Sequence, residues 1–397
     1  MENFPYPLPM LLDGGAATNL VGVGMPRGAC MAQWAADHPD ALRRVQTQFL
    51  EAGSTALLAP TFGANRAYLA EFGLSDQVEP LNCQLAAMTR QNAQGRLVGA
   101  LVGPSWMFVP PHGQADFDDV YALYREQVRA LEKAEVDFIV MASLSCLSDM
   151  RAAVLAARTS DVPIFVTMTV DETGRTVTGA QLLPALLTLQ AMGADAVGLQ
   201  FSCSPDKMAP LLDEVWPHTA VPLIARPGNT DMPPEKWAAA MRRLMDAGAS
   251  IVGGCLATSP AHIAALHDAM AGFSPRELPE EPDCDAATIE SEAFFLSGDL
   301  TYSHPLRCTA QLPDQLIALD DEYASVTLVE IHDLEDADIL AEAGHLTRQP
   351  IAVHADQLPI LDAALRYYQG RLLIDTNCEL DRDVLLPLAN KYGAILY

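Results

Sequence analysis

The chain has 397 residues, half of them hydrophobic and 19% charged, enough to bury one large core and a smaller one. Its formal net charge of -27 would be repelled by phosphate backbones and anionic bilayers, which argues against nucleic acid and a membrane as partners. The first fifteen residues lack a basic stretch followed by a long apolar run, no segment reaches the roughly 20 apolar residues of a membrane span, and the eight cysteines are scattered, so a reduced, cytoplasmic protein is expected.

In chain order, short apolar runs alternate with longer helical segments. The runs are LLDGGA (11–16), TALLAPTF (55–62), RLVGALVGP (96–104), FIVMASLS (138–145), PIFVTMTV (163–170), AVGLQFS (196–202), VPLIARPG (221–228) and SIVGGCLA (250–257). Each has the length of a strand buried on both faces. Between them, Leu42, Val45, Phe49 and Leu50 share one side of a helix. Ser204-Pro205-Asp206 and Ser259-Pro260 read as helix starts, with proline accepted in the first turn. Eight βα units predict an α/β fold, a closed (β/α)8 TIM barrel over residues 1–272. A doubly wound open sheet is the alternative, and no Gly-x-Gly-x-x-Gly follows the first strand to support it.

Residues 273–300 break the pattern with prolines and acids, so they are expected to be a solvated linker. Residues 301–397 then resume it with VTLVEIHD (326–333), PIAVHAD (350–356), RLLIDT (371–376) and AILY (394–397). Four such strands make a parallel half-barrel-like module whose uncovered apolar face needs a partner, either the barrel or a second copy in a homodimer. The apolar series Leu361, Leu365 and Tyr368 marks one helix face that could supply cover from within.

Barrel chemistry sits at the C-terminal ends of the strands. There the sequence places Asp13-Gly14-Gly15, Thr61-Phe62-Gly63-Ala64-Asn65, Cys146, Cys203, and Cys255 within Gly253-Gly254-Cys255. The same segments carry a family likeness. LLDGGAATNL, FLEAGSTALLAPTFGANRAYL, VGLQFSCSPDKMAPLL and IVGGCLATSPAHIAAL together resemble the homocysteine S-methyltransferase family over roughly residues 10–270.

That resemblance implies a zinc ion held by three thiolates, which strips the proton from a small-molecule thiol substrate so that its sulfur can accept a methyl group. On this chain it implies Cys203 and Cys255 as metal ligands, with Leu256 at the third place and Cys146 as a candidate replacement. Asp13, Gly14, Thr61 and Phe62 are the implied substrate contacts. Asp13 has a second reading, as the residue that orders the tight Asp-Gly-Gly turn. Two departures accompany the Leu256 change: Ala142 stands where the family places a glutamate, and Arg226-Pro227-Gly228-Asn229-Thr230 replaces a Glu-Pro-Asn-Ala-Gly-like element. The tail resembles the first part of the pterin-binding barrel of cobalamin-dependent methionine synthase, with His354 and Asp375 at strand ends. A methyl donor of the methylcobalamin type, carried on a partner corrinoid protein, follows from that likeness. Two functions are therefore expected to compete: a thiol methyltransferase, and a non-catalytic homologue that serves as a binding or scaffold subunit for a corrinoid protein or another methyltransferase. His262 is read as a packing or capping residue, and Cys30, Cys83, Cys284, Cys308 and Cys378 as structural or exposed.

Overall fold

The computed structural model describes residues 4–200, 204–228, 232–318 and 324–397. Eight parallel strands form the first sheet: β1 (Met10–Leu11), β2 (Ala56–Ala59), β3 (Leu97–Val102), β4 (Phe138–Leu144), β5 (Ile164–Met168), β6 (Ala196–Gln200), β7 (Leu223–Arg226) and β8 (Ala249–Val252). Their order, β1-β8-β7-β6-β5-β4-β3-β2, is a barrel open in its ladder only between β1 and β2. One backbone bond, from the Thr55 N–H to the Leu11 carbonyl at 2.8 Å, and two side chains close that seam. The Leu11 N–H donates to Thr55 Oγ1 at 2.9 Å, and the Leu58 N–H donates to Asp13 Oδ2 at 2.9 Å.

Alternation sorts each strand into an inner and an outer face. Met10, Leu12, Ala56, Leu58, Phe138, Val140, Ala142, Phe165, Ala196, Ile224 and Ile251 belong to one buried cluster inside the barrel. Phe4, Tyr6 and Leu8 pack against it, with the Phe4 ring 5.6 Å from Phe165 and the Tyr6 ring 5.9 Å from Phe138. The strands' outer faces pack on the helices in a second, larger cluster. The helices Pro205–Val215 and Pro260–Ala269 begin where the serine-proline signals place them. The second has a full capping box in which His262 reaches back to Ser259, so His262 is a capping residue.

The segment expected to be a solvated linker is not solvated throughout. Residues 286–290 are buried, and β9 (Ala286–Thr288) pairs antiparallel with β10 (Ala293–Phe295). Tertiary contacts override the acidic composition here: the Thr288 hydroxyl meets that of Thr188 at 2.7 Å, and the Gln181 N–H donates to the Glu290 carbonyl at 2.8 Å. Beyond it lies a five-stranded parallel sheet in simple order: β11 (Leu306–Arg307), β12 (Thr327–Glu330), β13 (Ile351–His354), β14 (Leu373–Ile374) and β15 (Ile395–Leu396). Four of these are the expected strands, and β11 is an addition at the edge.

This module packs on the barrel. All eleven residues of the barrel helix Leu147–Ala157 are buried. From it Arg151 donates to the carbonyls of Leu365 at 2.7 Å, Arg366 at 3.0 Å and Tyr368, satisfying the free carbonyls at the end of the helix Leu358–Tyr367. Leu361, Leu365 and Tyr368 are buried in the same core cluster as the barrel helices. The cover therefore comes from within the chain.

Candidate functional site at the C-terminal rim of the barrel

The barrel interior is apolar up to its last layer, where the inward positions turn polar. Two residues beyond Phe165 comes Thr167, two beyond Gly198 comes Gln200, and two beyond Ile224 comes Arg226. All three are buried. The Arg226 guanidinium bridges three strands. Nη1 donates to Gln200 Oε1 at 3.0 Å, Nη2 donates to the Gly254 carbonyl at 2.9 Å, and Nη2 lies 4.0 Å from Asp13 Oδ1.

Gln200 links this cation to the thiol. Its Nε2 donates to Ser143 Oγ at 3.0 Å and lies 3.6 Å from Cys255 Sγ. Ser143 reaches that position because β4 has a register shift between Met141 and Leu144, and Ser143 itself takes a left-handed φ of 61°. Trp106 and Ala257, at φ 60° and 61°, also lie on loops that follow barrel strands. Non-glycine residues in this conformation concentrate where a site over-determines the backbone.

Close backbone packing seats the Cys255 loop on the end of β1. The Gly254 N–H donates to the Asp13 carbonyl at 3.0 Å. A Cβ on Gly15 would lie 2.3 Å from the Cys255 carbonyl oxygen, so only glycine fits there. Gly14 is equally confined, by Phe49 and the Thr258 carbonyl.

Burial governs the electrostatics. It pushes the Asp13 carboxyl up to about 7, with the Arg226 charge and the Leu58 hydrogen bond opposing. Burial also raises the Cys255 thiol, against Arg226, and lowers Arg226 itself. Two atoms of this buried set have no hydrogen-bond partner among the described residues: Asp13 Oδ1 and Arg226 Nε.

The structure treats the expected residues unequally. Asp13, Gly14 and Cys255 meet at this rim. Cys203 lies outside the described residues. The Thr61 hydroxyl donates to the Leu101 carbonyl at 2.8 Å, and Phe62 packs on the barrel-interior cluster. Cys146 is buried beside another polar group: its sulfur lies 2.8 Å from Ser148 Oγ, and its charged neighbours are Glu290 and Asp149. No described interaction joins it to Cys255. Arg226, Gln200, Ser143 and Thr167 were not among the expected site residues. In the module, His354 Nδ1 and Asp375 Oδ2 pair at 2.8 Å. Cys30 and Cys308 are buried, Cys83, Cys284 and Cys378 are partly so, and all five are free thiols.

The donor set can be tested against zinc. Among the described residues no three His, Cys, Asp or Glu side chains are grouped to hold a metal ion. Leu256 offers no ligand and is 40% exposed, while Arg226 already places a fixed cation within electrostatic reach of Cys255. A three-thiolate zinc does not fit these residues.

Residues 10–270 match the homocysteine S-methyltransferase family, and the chain belongs to it. Among curated relatives it is 27% identical to a methionine synthase of Mycobacterium tuberculosis over 272 residues, 62% of this chain and 23% of that protein. It is 24% identical to the methionine synthase of Mycobacterium leprae over 393 residues, 85% of this chain and 32% of that one. The chain thus spans a third or less of the length of these relatives. Among solved structures, the metallated homocysteine methyltransferase MmuM of Escherichia coli superposes with a TM-score of 0.59 at 23% identity, over 65% of this chain and 95% of that one. This last likeness shows the barrel fold. No helix among the described residues is long and apolar enough to cross a membrane.

Proposed function

We propose that the chain transfers a methyl group to the sulfur of a small thiol at the C-terminal rim of its barrel. The observation that carries this reading is the set of Asp13, Gln200, Arg226 and Cys255 drawn together there in a barrel of this family. In the reaction an S–CH3 bond forms as the methyl–donor bond breaks, and the bonding pair leaves with the donor. The thiol proton goes to a base, and Asp13, held near neutrality, is the carboxylate at this rim suited to take it. Gln200 and Ser143 orient the Cys255 side of the site. The donor in this reading is a methylcorrinoid of the methylcobalamin type on a partner corrinoid protein, in keeping with the methionine synthase relatives.

Zinc held by Cys203 and Cys255 is the family's means of forming the thiolate. With Leu256 in the third place such a site would be weaker than three thiolates, and no step here is derived through it. Asp13, Gly14, Thr61 and Phe62 remain the proposed substrate contacts. The changes at Leu256 and Ala142 favour a second reading, a binding or scaffold subunit without catalysis. The two part on one experiment. Metal-replete protein is assayed for metal content, and for methyl transfer from methylcobalamin to a panel of thiols, alongside Cys255→Ala, Cys203→Ala and Cys146→Ala. Transfer lost in Cys255→Ala supports the enzyme. Absence of transfer to every thiol leaves the scaffold reading. Metal retained equally in all three variants would remove the cysteines as ligands.

A further inference from the structure

Among the described residues, both hydrogen-bonding contacts of the Arg226 guanidinium are to neutral oxygens, the Gln200 amide and the Gly254 carbonyl. The nearest carboxylate oxygen among the described residues, Asp13 Oδ1, stands 4.0 Å away, beyond hydrogen-bond reach. Asp13 spends its other oxygen on the Leu58 N–H at the seam of the barrel. Among the described residues, the mouth therefore contains a guanidinium only 2% exposed, with Nε unpartnered, and no anion in contact with it. A buried cation in this state gains most from a ligand that brings negative charge and an oxygen acceptor. Like charge also repels an ammonium group, and the free oxygen of Asp13 that could attract one lies 4.0 Å from the guanidinium.

We propose that Arg226 reads an anionic head group on the acceptor, so that this barrel takes a thiol bearing a carboxylate or sulfonate and no amino group near Asp13. The proposal rests on the methyl-transfer reading of the same rim and names its substrate class. Arg226 is here a specificity-determining residue, and Ala142 is consistent with it. The inward residue at that height of β4 is apolar, so the β4 side offers an ammonium no carboxylate.

Equilibrium binding tests this without turnover. Full-length protein kept reduced is titrated calorimetrically with 3-mercaptopropionate, 2-mercaptoethanesulfonate, 2-mercaptoethanol, cysteamine and homocysteine. The two anionic thiols are expected to bind at least about tenfold tighter than the neutral and cationic ones. Arg226→Gln should erase the difference, and Arg226→Lys should keep part of it. Equal affinity across the series, tighter binding of homocysteine or cysteamine, or no binding at all would overturn the proposal. The wild-type series alone can do this if Arg226→Gln fails to fold. Anion preference without any methyl transfer would sink the methyltransferase reading and leave the head-group assignment standing. Transfer to thiols without anion preference would do the reverse.

Discussion

Arg151→Met tests what holds the C-terminal module on the barrel. Arg151 is 1% exposed, and its guanidinium donates to the carbonyls of Leu365, Arg366 and Tyr368. Methionine keeps much of the apolar stem and removes every donor. Two effects then oppose each other. Hydrogen bonds to a charged group contribute roughly 1.5–3 kcal/mol each, so three lost bonds cost about 5–9 kcal/mol. Against this, burial lowers the Arg151 pKa from 12.5 to about 10. At about 1.4 kcal/mol per unit, that is a desolvation penalty on the order of 3 kcal/mol that methionine does not carry. The hydrogen bonds win, and the variant should lose about 2–6 kcal/mol. Urea unfolding followed by circular dichroism reads the loss, and limited proteolysis within residues 273–285 reads detachment of the module. Arg151→Lys should fall between, since an ammonium lacks the planar fork that serves several carbonyls at once. Wild-type stability in Arg151→Met would refute the reasoning, because it would mean that desolvation cancels all three bonds.

Two further outcomes concern pH. The folded Asp13 carboxyl sits at about 7 against an ordinary 3.8, so its contribution to stability is fully present below about 3.8 and is lost as pH rises to about 7. Asp13→Asn should flatten the pH–stability profile across that window, and an unchanged slope would show that Asp13 ionises as it does in the unfolded chain. His112 Nε2 lies 2.8 Å from Glu290 Oε2 and joins the loop after β3 to the turn between β9 and β10. That bond raises the histidine above its usual 6.5. Its contribution is complete below 6.5 and fades as pH rises through the raised value. Amide hydrogen exchange in residues 286–295 should therefore quicken on the alkaline side in wild type, and His112→Gln should exchange at the same relative rate on both sides.

The barrel was legible because strands buried on both faces leave apolar runs that composition cannot hide, as in FIVMASLS and PIFVTMTV. The edge strand β11 was missed because it is two residues long and follows His304-Pro305. The β9–β10 hairpin was hidden for a different reason. The segment CDAATIESEAFF alternates weakly and is acidic, and its burial comes from Thr188, Gln181 and Arg371, which lie far away in sequence. The rim residues had a usable signal. Counting inward positions along each strand at a period of two leads from Phe165 to Thr167 and from Ile224 to Arg226. Family motifs lie mostly in the loops beyond the strands, so they mark Arg226 only as a departure and leave Thr167 and Gln200 unmarked. Ser143 had no such signal, because the register shift in β4 that turns it inward shows only in three dimensions.

The same geometry decides how far Asp13 can serve a substrate. A β1–β2 ladder would have satisfied the Leu58 N–H with a backbone carbonyl, but β1 ends at Leu11 and the Asp13 side chain takes that place. One oxygen of the carboxylate is thus committed to closing the barrel. The other faces the Arg226 Nη2 4.0 Å away, too far for a hydrogen bond and near enough to moderate the charge of each group. A substrate ammonium arriving at Asp13 would have to share that oxygen with Arg226, whereas an anion arriving at Arg226 would meet a carboxyl that is easily protonated near neutral pH. The pair thus makes the mouth more receptive to negative charge than the overall charge of -27 would suggest, through one buried arginine on β7.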